Sequence, residues 1–290
     1  MKINHQGTKT PSTRRGNMKK LVSLLLLTLT TAATAQATTL WGVTGDNIVN
    51  GGTLIAQNFD YNPKCSIKVQ FVVSKTTGYR YLADILSGPG IDSGVQSGIN
   101  EKGLVVTSAT APLKSATSEA KPGFSEWALC GYGSVDDLLA DKDKAGDFAP
   151  GYYMIADSGK IALIGIAARD QISVQEVTGG AACYSKNDIV YHRIKELLAE
   201  HHGLFGLDDL VTYSQDRHNG PKNSLWRTGT TQTSERTLAT WAVSLPDSGA
   251  PQAYIRLANP NEGKSGRLTL DDNFWTNQSA GEVAFDAPSE

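Results

Sequence analysis

The sequence predicts an α+β protein built on antiparallel sheets. Three observations carry that reading. Short β-patterned runs follow one another through hairpin-length turns over most of the first half, and again in the last third. The clearest helical patterns are grouped rather than alternating with strands, which argues against a parallel sheet. With 40% hydrophobic and 19% charged residues, the 290-residue chain has enough apolar material for a sizeable core. No repeat, low-complexity linker or charge block divides it, so a single domain over 38–290 is expected.

Residues 1–37 read as a leader. Met18-Lys19-Lys20 is basic, 21–29 is apolar but for Ser23 and Thr28, and 30–37 is made of small residues and Gln36. That order is a secretory signal peptide, and its apolar run is about half what a bilayer span needs. Met18 offers the better start, which would set 1–17 aside. A twin-arginine leader at Arg14-Arg15 is the alternative, though no aromatic or apolar residue follows the pair. The leader holds six of the 27 basic residues and none of the 29 acidic ones, so its removal leaves 21 against 29, a net charge of −8. A body that acidic argues against nucleic acid or an anionic membrane as partner. The expected product is periplasmic or secreted, with no membrane anchor.

Thr39–Thr44 and 53–58 read as strands flanking the hairpin loop Asp46-Asn47-Ile48-Val49-Asn50-Gly51-Gly52. Strands over 67–73 and 79–86 follow, then a Gly88-Pro89-Gly90 turn and a short β-branched run at 104–107. Ser134-Val135-Asp136-Asp137 has capping-box character and opens a helix to Asp141. Runs at 152–156, 161–167 and 172–177 read as three strands joined by tight turns. The segment 188–201 is a helix with Ile189, Ile194, Leu197 and Leu198 on one face, and 207–213 is a second. Strands return at 238–245, 253–257 and 267–270.

Cutting after Ala35-Gln36-Ala37 would make Thr38 the first residue; the overlapping Ala33-Thr34-Ala35 site would leave Gln36 first. A free N-terminal Thr carries a hydroxyl nucleophile and, two bonds away, an amine whose pKa of about 7.7–8.0 leaves a useful fraction neutral. That amine can take the hydroxyl proton and later return a proton to a leaving amine.

Thr38-Thr39-Leu40-Trp41-Gly42, then Gly51-Gly52-Thr53-Leu54-Ile55-Ala56-Gln57-Asn58-Phe59-Asp60-Tyr61, then Gly98-Ile99-Asn100-Glu101-Lys102-Gly103-Leu104 form an ordered series. It resembles the N-terminal nucleophile (Ntn) hydrolases, in the group of acyl-CoA:6-aminopenicillanic acid acyltransferase and the choloylglycine hydrolase/penicillin V acylase enzymes. The likeness is strongest over 38–108. It returns in Asn223-Ser224-Leu225-Trp226-Arg227-Thr228-Gly229 and Ser234-Glu235-Arg236-Thr237-Leu238-Ala239.

The resemblance implies a four-layered αββα sandwich and cleavage or transfer at a linear amide through a covalent acyl-enzyme. Carried over by position, Thr38 is the nucleophile and Asp60 holds its amine. Asn100 lends a backbone N–H to the oxyanion hole, Asn187 adds a side-chain amide there, and Arg236 supplies positive charge near the nucleophile. Three positions depart from the family pattern. Thr38 stands where Cys is usual, Gln57 where Arg or Lys is usual, and Lys186-Asn187 where Thr-Asn is usual.

The same residues have plainer readings. Asp60 can cap a turn, Asn100 can be a turn residue, Asn187 can N-cap the helix from Asp188, and Arg236 can be a strand-edge surface cation. Nothing calls for a cofactor or a metal. His201 and His202 are adjacent and diverge on a helix, no spacing completes a site with His192 or His218, and Gly51-Gly52 and Gly179-Gly180 lack phosphate-loop spacing. Cys65, Cys130 and Cys183 have no pairing that spacing reveals. The expected partner is a small N-acyl amide substrate, and a homo-oligomer is left open. The alternative is a catalytically silent relative that keeps the sandwich and binds a small acyl ligand or cell-wall component.

N-terminal sequencing of the exported protein is expected to begin Thr-Thr-Leu-Trp. A start at Gln36 without further trimming would leave residue 38 with no free amine and would end the proposed chemistry.

Overall fold

Two antiparallel sheets face each other across an apolar core, and helices cover both outer faces. The structure is a computed structural model describing residues 38–73, 78–110, 123–258 and 264–285. The leader over 1–37 lies outside the described residues.

The strands are β1 (Thr39–Thr44), β2 (Thr53–Tyr61), β3 (Ser66–Val72), β4 (Tyr81–Ser87), β5 (Gly94–Asn100), β6 (Val105–Ser108), β7 (Gly151–Ala156), β8 (Ile161–Ala168), β9 (Gln171–Val177), β10 (Gly180–Ser185), β11 (Arg236–Leu245), β12 (Gln252–Leu257), β13 (Lys264–Thr269) and β14 (Gly281–Glu282). The helices are α1 (Phe124–Gly131), α2 (Val135–Ala140), α3 (Asp188–Glu200), α4 (Leu207–Ser214), α5 (Gly220–Asn223) and α6 (Asp272–Asn277). The first sheet runs β10-β1-β2-β11-β12-β13 and the second β14-β3-β4-β5-β6-β7-β8-β9.

Strand alternation sorts side chains between the layers. Leu40, Ile55, Phe59 and Trp241 of the first sheet meet Ile67, Phe71, Leu82 and Ile99 of the second. Trp41, Leu54 and Ala242 point the other way, onto Val190 and Ile194 of α3 and Leu210 of α4. Beyond the second sheet, Ala83, Val106 and Ile164 pack on Phe124 and Leu129 of α1 and on Val135 and Leu138 of α2. The layers are therefore α, β, β, α, as the resemblance implied.

Several elements match the sequence reading closely. Ser134 accepts the Asp137 N–H at 3.1 Å and caps α2, and α3 and α4 fall where the apolar periodicity put them. Others were not anticipated: β5, β10, β14, α1, α5 and α6. In β5, Gly98 stands where a Cβ would meet Leu129 Cδ1 at 2.6 Å and Leu82 O at 2.9 Å. A glycine that resembles a turn signal is here what lets α1 approach the sheet.

The strand β2 is central to the first sheet, and eight of its nine residues are buried. Its polar side chains must therefore find partners inside the protein. Asn58 Nδ2 donates to Ser214 O at 2.7 Å and Leu225 O at 2.8 Å, and its Oδ1 accepts from Thr240 Oγ1 at 2.7 Å. It thereby fastens the end of α4 and the segment before Trp226 onto the sheet. Gln57 Nε2 donates to Ser108 O at 2.7 Å and its Oε1 accepts from Ser97 Oγ, joining the first sheet to the second.

Asn58→Ala strands two buried carbonyls and a buried hydroxyl. It is expected to cost roughly 3–9 kcal/mol, summing about 1–3 kcal/mol for each of the three groups left unsatisfied. Urea unfolding followed by tryptophan fluorescence measures this, and a loss below about 1 kcal/mol would contradict the clamp.

Candidate active site

Thr38 precedes β1 and is fully buried. The backbone N–H of Asp60 donates to its hydroxyl oxygen over a long 3.4 Å. The two residues meet because β1 and β2 pair antiparallel from Thr44↔Thr53 back to Thr39↔Asn58, so the start of one strand lies beside the end of the other. By alternation Thr38 shares a face with Leu40, which enters the inter-sheet core, while Thr39 shares one with Trp41, which packs on the helices.

Asp60 is also fully buried. Its Oδ1 accepts from Thr237 Oγ1 at 2.6 Å, and its Oδ2 lies 3.2 Å from Arg227 Nε. The latter is an ion pair without hydrogen-bond alignment: neither atom has a hydrogen-bond partner among the described residues. Thr237 is fixed by the backbone. The Arg227 N–H donates to Thr237 Oγ1 at 2.9 Å, and the Thr237 N–H returns to Arg227 O at 3.0 Å. With that lone pair engaged, the Thr237 hydroxyl proton is aimed at Asp60. The register shift between Thr237 and Ala239 opposite β2 sets Thr237 directly against Asp60.

Burial pushes the Asp60 carboxyl up from its ordinary 3.8 to about 7, against the opposing pull of the Arg227 guanidinium and the Thr237 hydroxyl. Burial also raises Glu235, and Arg227 partly offsets that too. Arg227, only 6% exposed, therefore serves two carboxyl groups.

The remaining sequence candidates are placed as follows. Asn100 donates from Nδ2 to Leu129 O at 2.9 Å and Tyr132 O at 2.7 Å, and its Oδ1 accepts from the Lys102 and Leu104 N–H groups at 3.0 Å each. Its own backbone N–H donates to Leu104 O at 3.0 Å. Asn100 thus organises the turn into β6 and anchors α1. Asn187 N-caps α3, accepting from Ile189 and Val190 N–H, while Nδ2 donates to Asn223 Oδ1 at 3.2 Å. It sits two residues beyond the Ser185 that pairs with Thr39, on the side from which Thr38 enters the sheet. Arg236 heads β11, donates from Nη2 to Thr231 O at 3.0 Å, and keeps a buried Nε without a hydrogen-bond partner among the described residues.

The structure brings together Thr38, Asp60, Thr237 and Arg227. Of these, Arg227 and Thr237 were not singled out from sequence. A usable signal existed for Arg227: a cation directly after Ser224-Leu225-Trp226, a run that is buried, needs a buried anionic partner.

A buried hydroxyl residue leading into the first strand lies beside a buried carboxyl group, within α, β, β and α layers. The chain belongs to the acyl-coenzyme A:6-aminopenicillanic acid acyl-transferase family, whose sequence pattern matches residues 49–196, just over half of it. That stretch includes Gln57, Asp60, Asn100 and Asn187, and leaves out Thr38, Arg227 and Arg236. Among solved structures, penicillin V acylase from Agrobacterium tumefaciens is 14% identical, with 83% of this chain and 89% of that chain covered at a TM-score of 0.47. Conjugated bile acid hydrolase from Clostridium perfringens is 16% identical, with 86% and 97% covered at a TM-score of 0.48. No curated protein sequence matches the chain.

Between its ordinary and its raised value, folded Asp60 holds a proton that the unfolded chain has lost. Its contribution to stability is thus most favourable at acid pH and falls as pH rises from about 4 to about 7. The stability of wild type relative to Asp60→Asn is expected to decline through that window and level off above it, read from urea midpoints at stepped pH. A relative stability that rises with pH would show that the site favours the charged carboxylate.

Proposed function

We propose that the mature chain is an exported amide hydrolase or N-acyltransferase that works through an acyl-enzyme on Thr38. The observation that carries the reading is the fully buried Thr38 hydroxyl beside Asp60, whose Oδ2 has no hydrogen-bond partner among the described residues. Removal of the leader after Ala37 would give Thr38 a free α-amine, and Asp60 would orient it.

The chemistry then balances within one residue. Thr38 Oγ1 bonds to the amide carbonyl carbon as its proton passes to the α-amine. Asn187 supports the oxyanion with the second N–H of its Nδ2 group, the first going to Asn223 Oδ1; the Asn100 backbone N–H is already given to Leu104 O. Arg227 and Arg236 add positive charge around the site. Collapse breaks the C–N bond, the ammonium returns its proton to the departing amine, and an ester remains. Water or an acceptor amine attacks that ester and restores the hydroxyl. Family membership and the layered fold support an acyl-transfer enzyme acting on a small N-acyl amide. The leader supports a periplasmic or secreted location.

A panel of N-acyl amino acids, N-acyl homoserine lactones and penicillin V, assayed for amine release, tests the reading. Thr38→Ala is expected to abolish turnover with the fold intact. Thr39→Ala should cost much less, since its nitrogen is an amide and its side chain faces the helices. Thr38→Cys should retain or raise activity, a thiolate being the stronger nucleophile. Full activity in Thr38→Ala, or silence of Thr38→Cys on the whole panel, would leave ligand binding without catalysis as the better reading.

A further inference from the structure

A cavity of about 180 Å³ lies beside Asp60 and is lined by four arginines, Arg217, Arg227, Arg236 and Arg256, with Trp226 and Thr237. Four guanidinium groups around one small space repel one another unless negative charge sits among them. Asp60 and Glu235 supply some, but both act on Arg227. No carboxylate among the described residues pairs with Arg217, Arg236 or Arg256. Arg227 is more than nine-tenths buried, and its Nη2 has no hydrogen-bond partner among the described residues. Arg236 Nε is likewise buried and unpartnered.

The arginines are also held in place. The Arg256 guanidinium lies over the Trp226 ring at 4.4 Å from its centroid and that of Arg217 at 6.0 Å. Contacts of that kind fix a planar guanidinium without neutralising it. Trp226 itself is tied down by its N–H to Asp216 O at 2.9 Å. The result is a cationic cavity with N–H donors that have no partner among the described residues, and its volume suits a small oxyanion.

We propose that this cavity binds a small oxyanion, a carboxylate or phosphate group, held by Arg227 and Arg256 with Arg217 at its rim. The site is separate from the Thr38 hydroxyl but joined to it through Arg227 and Asp60. Occupancy would place negative charge on the far side of Arg227 and loosen its hold on Asp60. The proposal stands apart from the acyl-transfer reading, because binding can be measured without turnover.

The test titrates the processed protein with inorganic phosphate and with acetate at constant ionic strength, read by calorimetry and by thermal unfolding. Saturable binding is expected, and the double variant Arg217→Gln/Arg256→Gln should weaken it by about tenfold or more, because charge-assisted contacts to the anion are lost. A matching urea midpoint confirms that the variant is folded. Absence of saturable binding, or equal binding by the folded double variant, would overturn the proposal. Competition then separates the sources. Displacement of phosphate by an N-acyl amino acid, but not by its uncharged carboxamide, assigns the oxyanion to the substrate. Displacement by neither assigns it to a free anion.

Discussion

A carboxylate set in a strand that is buried almost end to end must be answered by charge and hydrogen bonds, and the answer to Asp60 organises this molecule. Its backbone N–H reaches Thr38, its Oδ1 takes the Thr237 proton, and its Oδ2 faces Arg227. Each contact comes from a different part of the chain: the residue before β1, the irregular start of β11, and the segment that Asn58 clamps to the sheet. Burial costs the charge more than these partners return, so the carboxyl is held near neutral pH, where small changes around it matter most.

Gln57 shows how a departure from the family pattern is absorbed. It faces the inter-sheet space with Ile55 and Phe59, and both ends of its amide are engaged by the second sheet. A neutral side chain there becomes a structural tie. By alternation Asn58 and Asp60 face the other way, and on that side the positive charge is supplied by Arg227. Cationic character has thus not left the neighbourhood of Asp60; it is carried from β11's side of the strand.

Strands rich in β-branched and aromatic residues, such as β1, β3 and β6, were legible because burial on a sheet selects such residues. The missed ones lack that composition. Gly98 in β5 answers to the approach of Leu129, and Ala181 and Ala182 in β10 are extended because they pair with β1. The helix α1 begins after Gly123 without a side-chain cap, so its start carried no local signal. At the site, Thr38 and Asp60 could be named from motif order. The choice between Arg227 and Arg236 could not, because it depends on the backbone pairing of Arg227 with Thr237, the residue set against Asp60. The two asparagines read ambiguously for a physical reason: each caps a turn or helix through its amide oxygen, and that role leaves the use of its N–H donors undetermined by the sequence.

The central claim is that Asp60 prepares the hydroxyl at residue 38 to accept an acyl group. The most direct measurement is the intact mass of the processed protein before and after a hydroxyl-directed acylating probe, with the adduct mapped by peptide sequencing. A single acyl group is expected on the peptide beginning at Thr38, and its loss in folded Asp60→Asn. An adduct confined to Thr39 or to other surface hydroxyls, or one on Thr38 that forms equally well without the Asp60 carboxylate, would contradict it.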